Sequence, residues 1–162
     1  MTKKVKKYVV KPLGEEQVMQ AYPLVQSASP QLTLDQWMDY VQTLSQEGDS
    51  DPRSSGVMSV QNGDGYIYGI YCHEVEANIQ HGRVLKVSNF VAANLYDAKS
   101  VTGGLIDSMA SVARDSGCGA VHVDLPEEVR PGPRLVDGIA SQFKGAGYQV
   151  ESVALCRSIK KK

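Results

Sequence analysis

VLKVSNFVAANLYDAKSVTGGLIDSMASVARDSGCGAVHVDLP, residues 84–126, decides how this chain folds. The first part, Val84 to Asn94, is apolar and β-branched enough for a strand. Leu95 to Gly104 is a polar turn that carries glycines. A helix is expected from near Thr102, with Leu105, Met109 and Val112 on one face at i, i+4 and i+7. Ser116-Gly117-Cys118-Gly119 ends it, because glycine can take the left-handed cap. Ala120 to Pro126 is a short apolar run, too short for a helix and suited to a second strand. A strand-helix-strand unit of this length implies a right-handed parallel crossover. The turn then lies at the carboxyl end of the first strand, beside the free N–H groups of the helix. That arrangement favours an anion, and so a phosphate-bearing ligand.

Working outward, Lys7 to Leu13 is expected as a first strand, ended by Pro12 and Gly14. Glu15 to Ser27 is expected as a helix with Val18, Tyr22 and Val25 on one side, and Ser29-Pro30 breaks it. Thr33-Leu34-Asp35-Gln36 has the pattern of a capping box. It opens a second helix with Trp37, Val41 and Leu44 inward. Gln46 to Ser55 is polar loop. Asn62-Gly63-Asp64-Gly65 is a strong hairpin turn between two strands. Ala77 to Gly82 is a second turn, leading into the strand at Val84. On the other side, Glu127 to Pro133 is an acidic, proline-rich loop. The helix after it carries Leu135, Ile139 and Phe143, ends at Gly145 and Gly147, and is followed by strand material from Tyr148 to Ile159. The expected class is therefore α/β (α+β): one domain over residues 1–162, with a mixed, mostly antiparallel sheet and helices on both faces.

Composition narrows the function classes. A hydrophobic share of 42% and a charged share of 22% are ordinary for a soluble globular chain. A formal net charge of -1 argues against a nucleic-acid partner. Removing the seven terminal lysines (Lys3, Lys4, Lys6, Lys7, Lys160, Lys161, Lys162) from the 17 basic side chains leaves 10 against 18 acidic ones. The body is thus acidic, and the lysine ends read as solubilising tails or as a weak contact with an anionic surface. No apolar run of membrane-spanning length occurs, so no membrane partner is expected. Cys72, Cys118 and Cys156 make no CxxC spacing, and an odd count without a secretory signal points to reduced thiols in a cytoplasmic chain. His73, His81 and His122 are scattered, so no metal site is expected from spacing.

The element order β-α-α-β-β-β-α-β-α-β resembles that of the GCN5-related N-acetyltransferase (GNAT) superfamily, over nearly the whole chain from Tyr8 to about Ile159. Two segments carry the likeness. Phe90 to Ile106 (FVAANLYDAKSVTGGLI) is similar to the family's acyl-CoA motif, with Tyr96 on its tyrosine and Leu105-Ile106 on its leucine pair. Ile139 to Val150 (IASQFKGAGYQV) is similar to the family's helix, tyrosine and Gly-Phe segment. The resemblance implies acetyl-CoA as co-substrate. Backbone groups of Phe90, Val91 and Ala92 would pair with its pantetheine arm. The N–H groups of Lys99, Ser100, Val101, Thr102, Gly103 and Gly104 would hold its pyrophosphate. It also implies an amine acceptor, a small molecule or a peptide, which the acidic body would favour in cationic form. Homodimers are common in the resembling family.

The departures are specific. Asp97 stands where the family's loop has arginine or glutamine, and Ser100 and Thr102 stand on its glycines. Phe143 takes the place of the tyrosine that protonates the departing thiolate, and Tyr148 matches an apolar ring. Transfer to an amine needs a base or a water path, a polarised carbonyl, and an in-line amine about 3–3.5 Å away. Glu74, Glu76 and His73 are candidate bases or simply solvated strand-end charges. Ser88 and Asn89 either orient an amine or water, or satisfy backbone groups in a local bulge. Cys72 is a nucleophile by type but a buried thiol by position. An N-acetyltransferase acting by direct attack is the first expectation. A protein of the same fold that binds acyl-CoA or a protein partner without catalysis is the alternative.

Overall fold

The Asn62–Gly65 turn forms as its residues dictate. Asn62 Oδ1 accepts the N–H groups of Asp64 and Tyr66 at 3.0 and 2.9 Å. Gly65 takes a φ of 81°, which costs a residue without Cβ little. The turn joins β2 (Ser55–Gln61) to β3 (Ile67–Asn78). A second turn leads from β3 into β4 (Gly82–Ala92). With β1 (Val9–Pro12) and β5 (Ala120–Val123) these strands make one five-stranded sheet in the order β1-β2-β3-β4-β5. Only the β4–β5 pair is parallel, so the sheet is mixed and mostly antiparallel, as expected. The structure, a computed structural model, describes residues 8–47, 55–93, 98–125 and 139–160.

Helices cover both faces. On one face lie α1 (Val18–Ala28), entered through a 3-10 turn at Glu15–Gln17, and α2 (Leu34–Glu47). The expected capping box opens α2: Gln36 N–H donates to Thr33 Oγ1 at 3.2 Å, and Thr33 N–H to Gln36 Oε1 at 2.9 Å. Trp37, Val41 and Leu44 are buried here with Val57, Ile70, Cys72 and Val91. Trp37 Nε1 donates to Val18 C=O at 2.7 Å, so the indole is core and ties the two helices together. On the other face, α3 (Ala98–Asp115) and α4 (Ile139–Gly145) cover Val60, Tyr71, Leu85, Val87 and Phe90. Gly69 lets α3 sit low on the sheet. A Cβ there would lie 2.9 Å from Leu105 Cδ1, 3.0 Å from Val60 Cγ1 and 3.1 Å from the Val91 carbonyl oxygen.

Both helices on this face end in the same way. Gly117 (φ 69°) and Gly147 (φ 94°) take the left-handed cap. Cys118 N–H reaches Ala113 C=O and Tyr148 N–H reaches Phe143 C=O, at 2.9 and 3.0 Å. Gly117 N–H and Gly147 N–H bond Arg114 and Lys144 C=O at 3.1 and 3.0 Å. Both are Schellman caps. In the second, the rings at the two ends of the motif, Phe143 and Tyr148, pack edge to face at 5.1 Å.

Two expectations are corrected. Helix α3 starts at Ala98 rather than near Thr102. Its glycines did not delay it, because Gly104 faces Val10 of β1, where a Cβ would lie 3.3 Å from Val10 Cγ2. A sheet-facing helical position of that kind is filled best by a residue with no side chain. The closing strand, expected from Tyr148 to Ile159, is not a strand. Val150, Val153, Leu155 and Ile159 are all exposed. Alternation marks a face that a segment can present, but a strand also needs a neighbour's backbone ladder. Leu135 and the loop from Glu127 to Pro133 lie outside the described residues, as do Tyr96 and Asp97.

His73 sits on the α3 face of β3, 6.0 Å from the Tyr71 ring, and is only 5% exposed. Its Nδ1 has no hydrogen-bond partner among the described residues, and burial lowers its pKa to about 4. Unfolded, the same imidazole binds a proton near pH 6.5. Between those values the unfolded chain holds the extra proton, so stability falls as pH drops. Chemical denaturation at pH 7 and pH 5 is expected to show a His73 contribution of about 2 kcal/mol to that loss. The contribution should vanish in His73→Gln, and equal pH dependence in both chains would refute the assignment. Gly69→Ala should cost about 1–3 kcal/mol by overpacking, measured in the same way, and a neutral result would mean that α3 lifts freely.

Candidate functional site

The site begins with an irregularity in β4. Ile70 pairs with Val91, but Cys72 pairs with Ser88, so two residues of β4 oppose Tyr71 alone. The extra residue is Asn89, with φ of 52°, in a region that asparagine tolerates better than most side chains. This is a β-bulge. It changes which face each side chain takes. Phe90 turns into the core under α3 and α4, 5.3 Å from the Phe143 ring. Asn89 turns to α2, where its Nδ2 donates to the Tyr40 hydroxyl at 3.2 Å.

The bulge is also where the two parallel strands part. Val84–Val87 pair with Ala120–Val123, and Asp124 N–H donates to Val87 C=O at 2.9 Å. Beyond that bond, no described residue of the β5 segment pairs with Ser88–Ala92. Among the described residues, nothing pairs with the outer backbone edge of Phe90, Val91 and Ala92. The amino end of α3 begins six residues after Ala92. Its free amides are those of the first turn, Ala98 to Val101. Thr102, Gly103 and Gly104 belong to the second turn, whose N–H groups bond within the helix. Lys99 and Ser100 are exposed, whereas Val101 and Thr102 are buried. Gln142 of α4 donates to Lys99 C=O at 3.0 Å and ties α4 to this end of α3.

On the α2 side of the bulge, a polar group collects around Tyr40. Its hydroxyl meets Asn89, Ser88 and Cys72, with the Glu74 charge nearby. Burial, and then Cys72 and Glu74, raise the Tyr40 pKa, so it remains a neutral phenol. Cys72 is fully buried, and burial pushes its thiol up to about 12 against the hydrogen bonds from Asn89 and Tyr40. A thiol held in that form is not a nucleophile. Glu74, Ser88 and Asn89 are thus brought together, and Tyr40 joins them. Glu76 is exposed at the strand end, and His73 lies on the opposite face. Phe143 is 4% exposed between Phe90 and Tyr148, a core ring. Tyr148 packs on it with its hydroxyl directed at Met109 Sδ, 4.0 Å away. An open groove of about 350 Å³ runs between Asp107, Ser111 and Arg114 of α3 and Tyr148. It gathers none of the polar group around Tyr40.

A local bulge at Ser88 and Asn89 was one of the two readings the sequence offered, and the structure has it, with Asn89 as the extra residue. Three further residues came together unannounced. His81, His122 and Glu151, scattered over 70 positions, place their donor atoms within 4.8 Å of one another.

No family model and no curated protein matches the chain. Solved structures do. A glucosamine-6-phosphate N-acetyltransferase from Arabidopsis thaliana superposes with a TM-score of 0.71 at 10% identity, over 96% of this chain and 100% of that one. The aminoglycoside N-acetyltransferase AAC(6')-Iy, in complex with CoA, gives 0.74 at 13% identity, over 98% and 99%. A transcriptional regulator from Bacillus halodurans C-125 gives 0.75 at 9% identity, over 94% and 99%. At such identities the likeness concerns architecture, and the architecture is that of the GNAT acetyltransferases: this chain has the GNAT fold.

Proposed function

We propose that this protein is an N-acetyltransferase that moves an acetyl group from acetyl-CoA to an amine by direct attack in a ternary complex. The observation that carries the reading is the parting of β4 and β5 at the Asn89 bulge, beside the amino end of α3. The exposed backbone edge at Phe90, Val91 and Ala92 suits an extended pantetheine amide chain, which would add to it as a strand does. The first-turn amides of α3, with Lys99 and the Ser100 hydroxyl beside them, suit a diphosphate. The share assigned to Thr102, Gly103 and Gly104 is then second-turn packing rather than contact. When bound, acetyl-CoA supplies an activated thioester carbonyl.

The residues on the α2 side of the bulge give the acceptor its place. A bulge leaves one backbone N–H out of the ladder, and such an amide can polarise the carbonyl. Asn89, Ser88 and the Tyr40 hydroxyl orient the amine or a water. Glu74 at the rim takes the ammonium proton through that water, and its charge favours a cationic amine. The new bond is amine nitrogen to acetyl carbon, and the broken one is acetyl carbon to sulfur. The proton lost by the nitrogen reaches the sulfur through water, because Phe143 has none to give.

Phe143 also favours a second reading, acyl-CoA or partner binding without turnover. The two readings share a binding test. Calorimetry with acetyl-CoA should show saturable binding, weakened at least tenfold, or about 1.4 kcal/mol, by Lys99→Glu. An acidic residue in the first turn supports the helix itself, so this variant should keep its thermal midpoint while losing affinity. Absence of binding by the natural chain would end the first reading and leave the second only in its partner-binding form. Release of CoA thiol over a panel of polyamines, aminoglycosides and lysine peptides separates them. Turnover, reduced by Glu74→Gln and by Asn89→Ala, is expected, and binding without turnover would leave only the second.

A further inference from the structure

The His81–His122–Glu151 group lies away from the cleft. His81 is in the turn that precedes β4, and His122 is in β5 opposite Lys86. Glu151 follows the Gly147 cap on the C-terminal segment. The two imidazoles meet edge to face, 5.6 Å apart at 83°. Their Nε2 atoms converge on one carboxylate, His81 on Oε1 at 2.8 Å and His122 on Oε2 at 2.7 Å. The two contacts differ in kind. His81 makes a hydrogen bond. His122 Nε2 is shielded from solvent and reaches Oε2 at ion-pair distance, outside the alignment of a full hydrogen bond. A cation placed among the three donor atoms would bond each of them.

The backbone around the group is fixed beforehand. Asn78 Oδ1 accepts the N–H groups of Gln80 and His81, both at 2.9 Å. His81 C=O accepts Arg83 N–H at 2.9 Å, and Gly119 N–H donates to Arg83 C=O at 2.8 Å. A Cβ on Gly119 would lie 2.7 Å from the His81 carbonyl oxygen, so glycine is what lets β5 start this close to the turn. Lys86, the neighbouring cation, is paired with Asp124 at 3.0 Å. The three side chains are between 27% and 40% exposed, which leaves an entry path.

We propose that His81, His122 and Glu151 form a binding site for a divalent transition cation of the zinc type, which clasps the C-terminal segment to β5. Two neutral imidazoles and a carboxylate are a donor set suited to zinc, with a fourth position left for water. Tetrahedral zinc at about 2.0–2.1 Å from each donor spaces the donors by roughly 3.3 Å. The contacts at 2.7 and 2.8 Å must then open by roughly half an ångström, within the reach of side-chain rotation. Magnesium and calcium, which take oxygen ligands, do not suit it. The site is independent of the acetyl-transfer reading.

Zinc titration of the chelator-treated full chain, followed by NMR of the histidine ring protons, tests this directly. The chain has 3 histidines. Two sets of resonances, from His81 and His122, should shift with one equivalent of zinc, while His73 stays still. Calorimetry should give one site, weakened at least about tenfold by His122→Ala or Glu151→Gln and unchanged by Cys118→Ser with Cys156→Ser. Magnesium should give no heat. Unshifted ring protons in the natural chain, or zinc affinity that tracks the cysteines rather than the histidines, would overturn the assignment, whatever the variants do to folding.

Discussion

One extra residue in β4 governs the arrangement of everything around it. Without Asn89 out of register, Phe90 and Val91 would exchange faces, and each lies in a separate half of the core. Phe90 belongs with Phe143 and Met109 under α3, and Val91 with Val25 and Trp37 under the first two helices. The bulge allows both to be buried while the strand carries a polar side chain at its midpoint. It also increases local twist, and the β4–β5 ladder stops at Val87, two residues before Asn89. Packing on two faces and an edge left unpaired among the described residues both centre on the same residue.

The polar side of the bulge is built from groups kept uncharged. Burial raises the Tyr40 hydroxyl and holds the Cys72 thiol near 12, and on the far face it raises Tyr71 to about 12 and lowers His73 to about 4. A sheet interior of neutral donors and acceptors can orient a substrate, but it cannot remove a proton from an ammonium group. In the proposed transfer that task is given to the half-buried rim, where Glu74 retains partial contact with water. The same burial explains why the cysteine is inert.

Local signals were legible wherever neighbours in sequence are neighbours in space. The Thr33–Gln36 capping box, the Asn62–Gly65 turn and the two glycine caps each rest on contacts within a few residues, and each formed as its residues dictate. The strand-helix-strand unit at Val84 was readable because periodicity reports burial. What sequence withheld depends on partners far away. The α3 start moved to Ala98 because Gly104 serves β1, far upstream in the chain. The tail from Tyr148 kept its alternation but found no ladder. Asn89 signalled polarity without saying which residue would be extruded. His81, His122 and Glu151 share no spacing at all, and only the approach of β5 to the β3–β4 turn at Gly119 assembles them.

The C-terminal segment is tied at two points of different chemistry. At its start, the Gly147 cap turns the chain so that Tyr148 packs on Phe143, which packs on Phe90 at the bulge. Three residues later Glu151 reaches the two imidazoles. The first tie is apolar and insensitive to pH. The second relies on a carboxylate whose pKa is lowered chiefly by its hydrogen bond to His81, so it weakens as acid protonates that carboxylate. Beyond Glu151, the apolar side chains Val153, Leu155 and Ile159 are exposed and join neither core cluster of the described residues. The segment therefore owes its position to its first four residues. Loss of the second tie would free the tail while leaving Tyr148 and the ring stack in place, because the helix cap seals the stack without help from the residues beyond Tyr148.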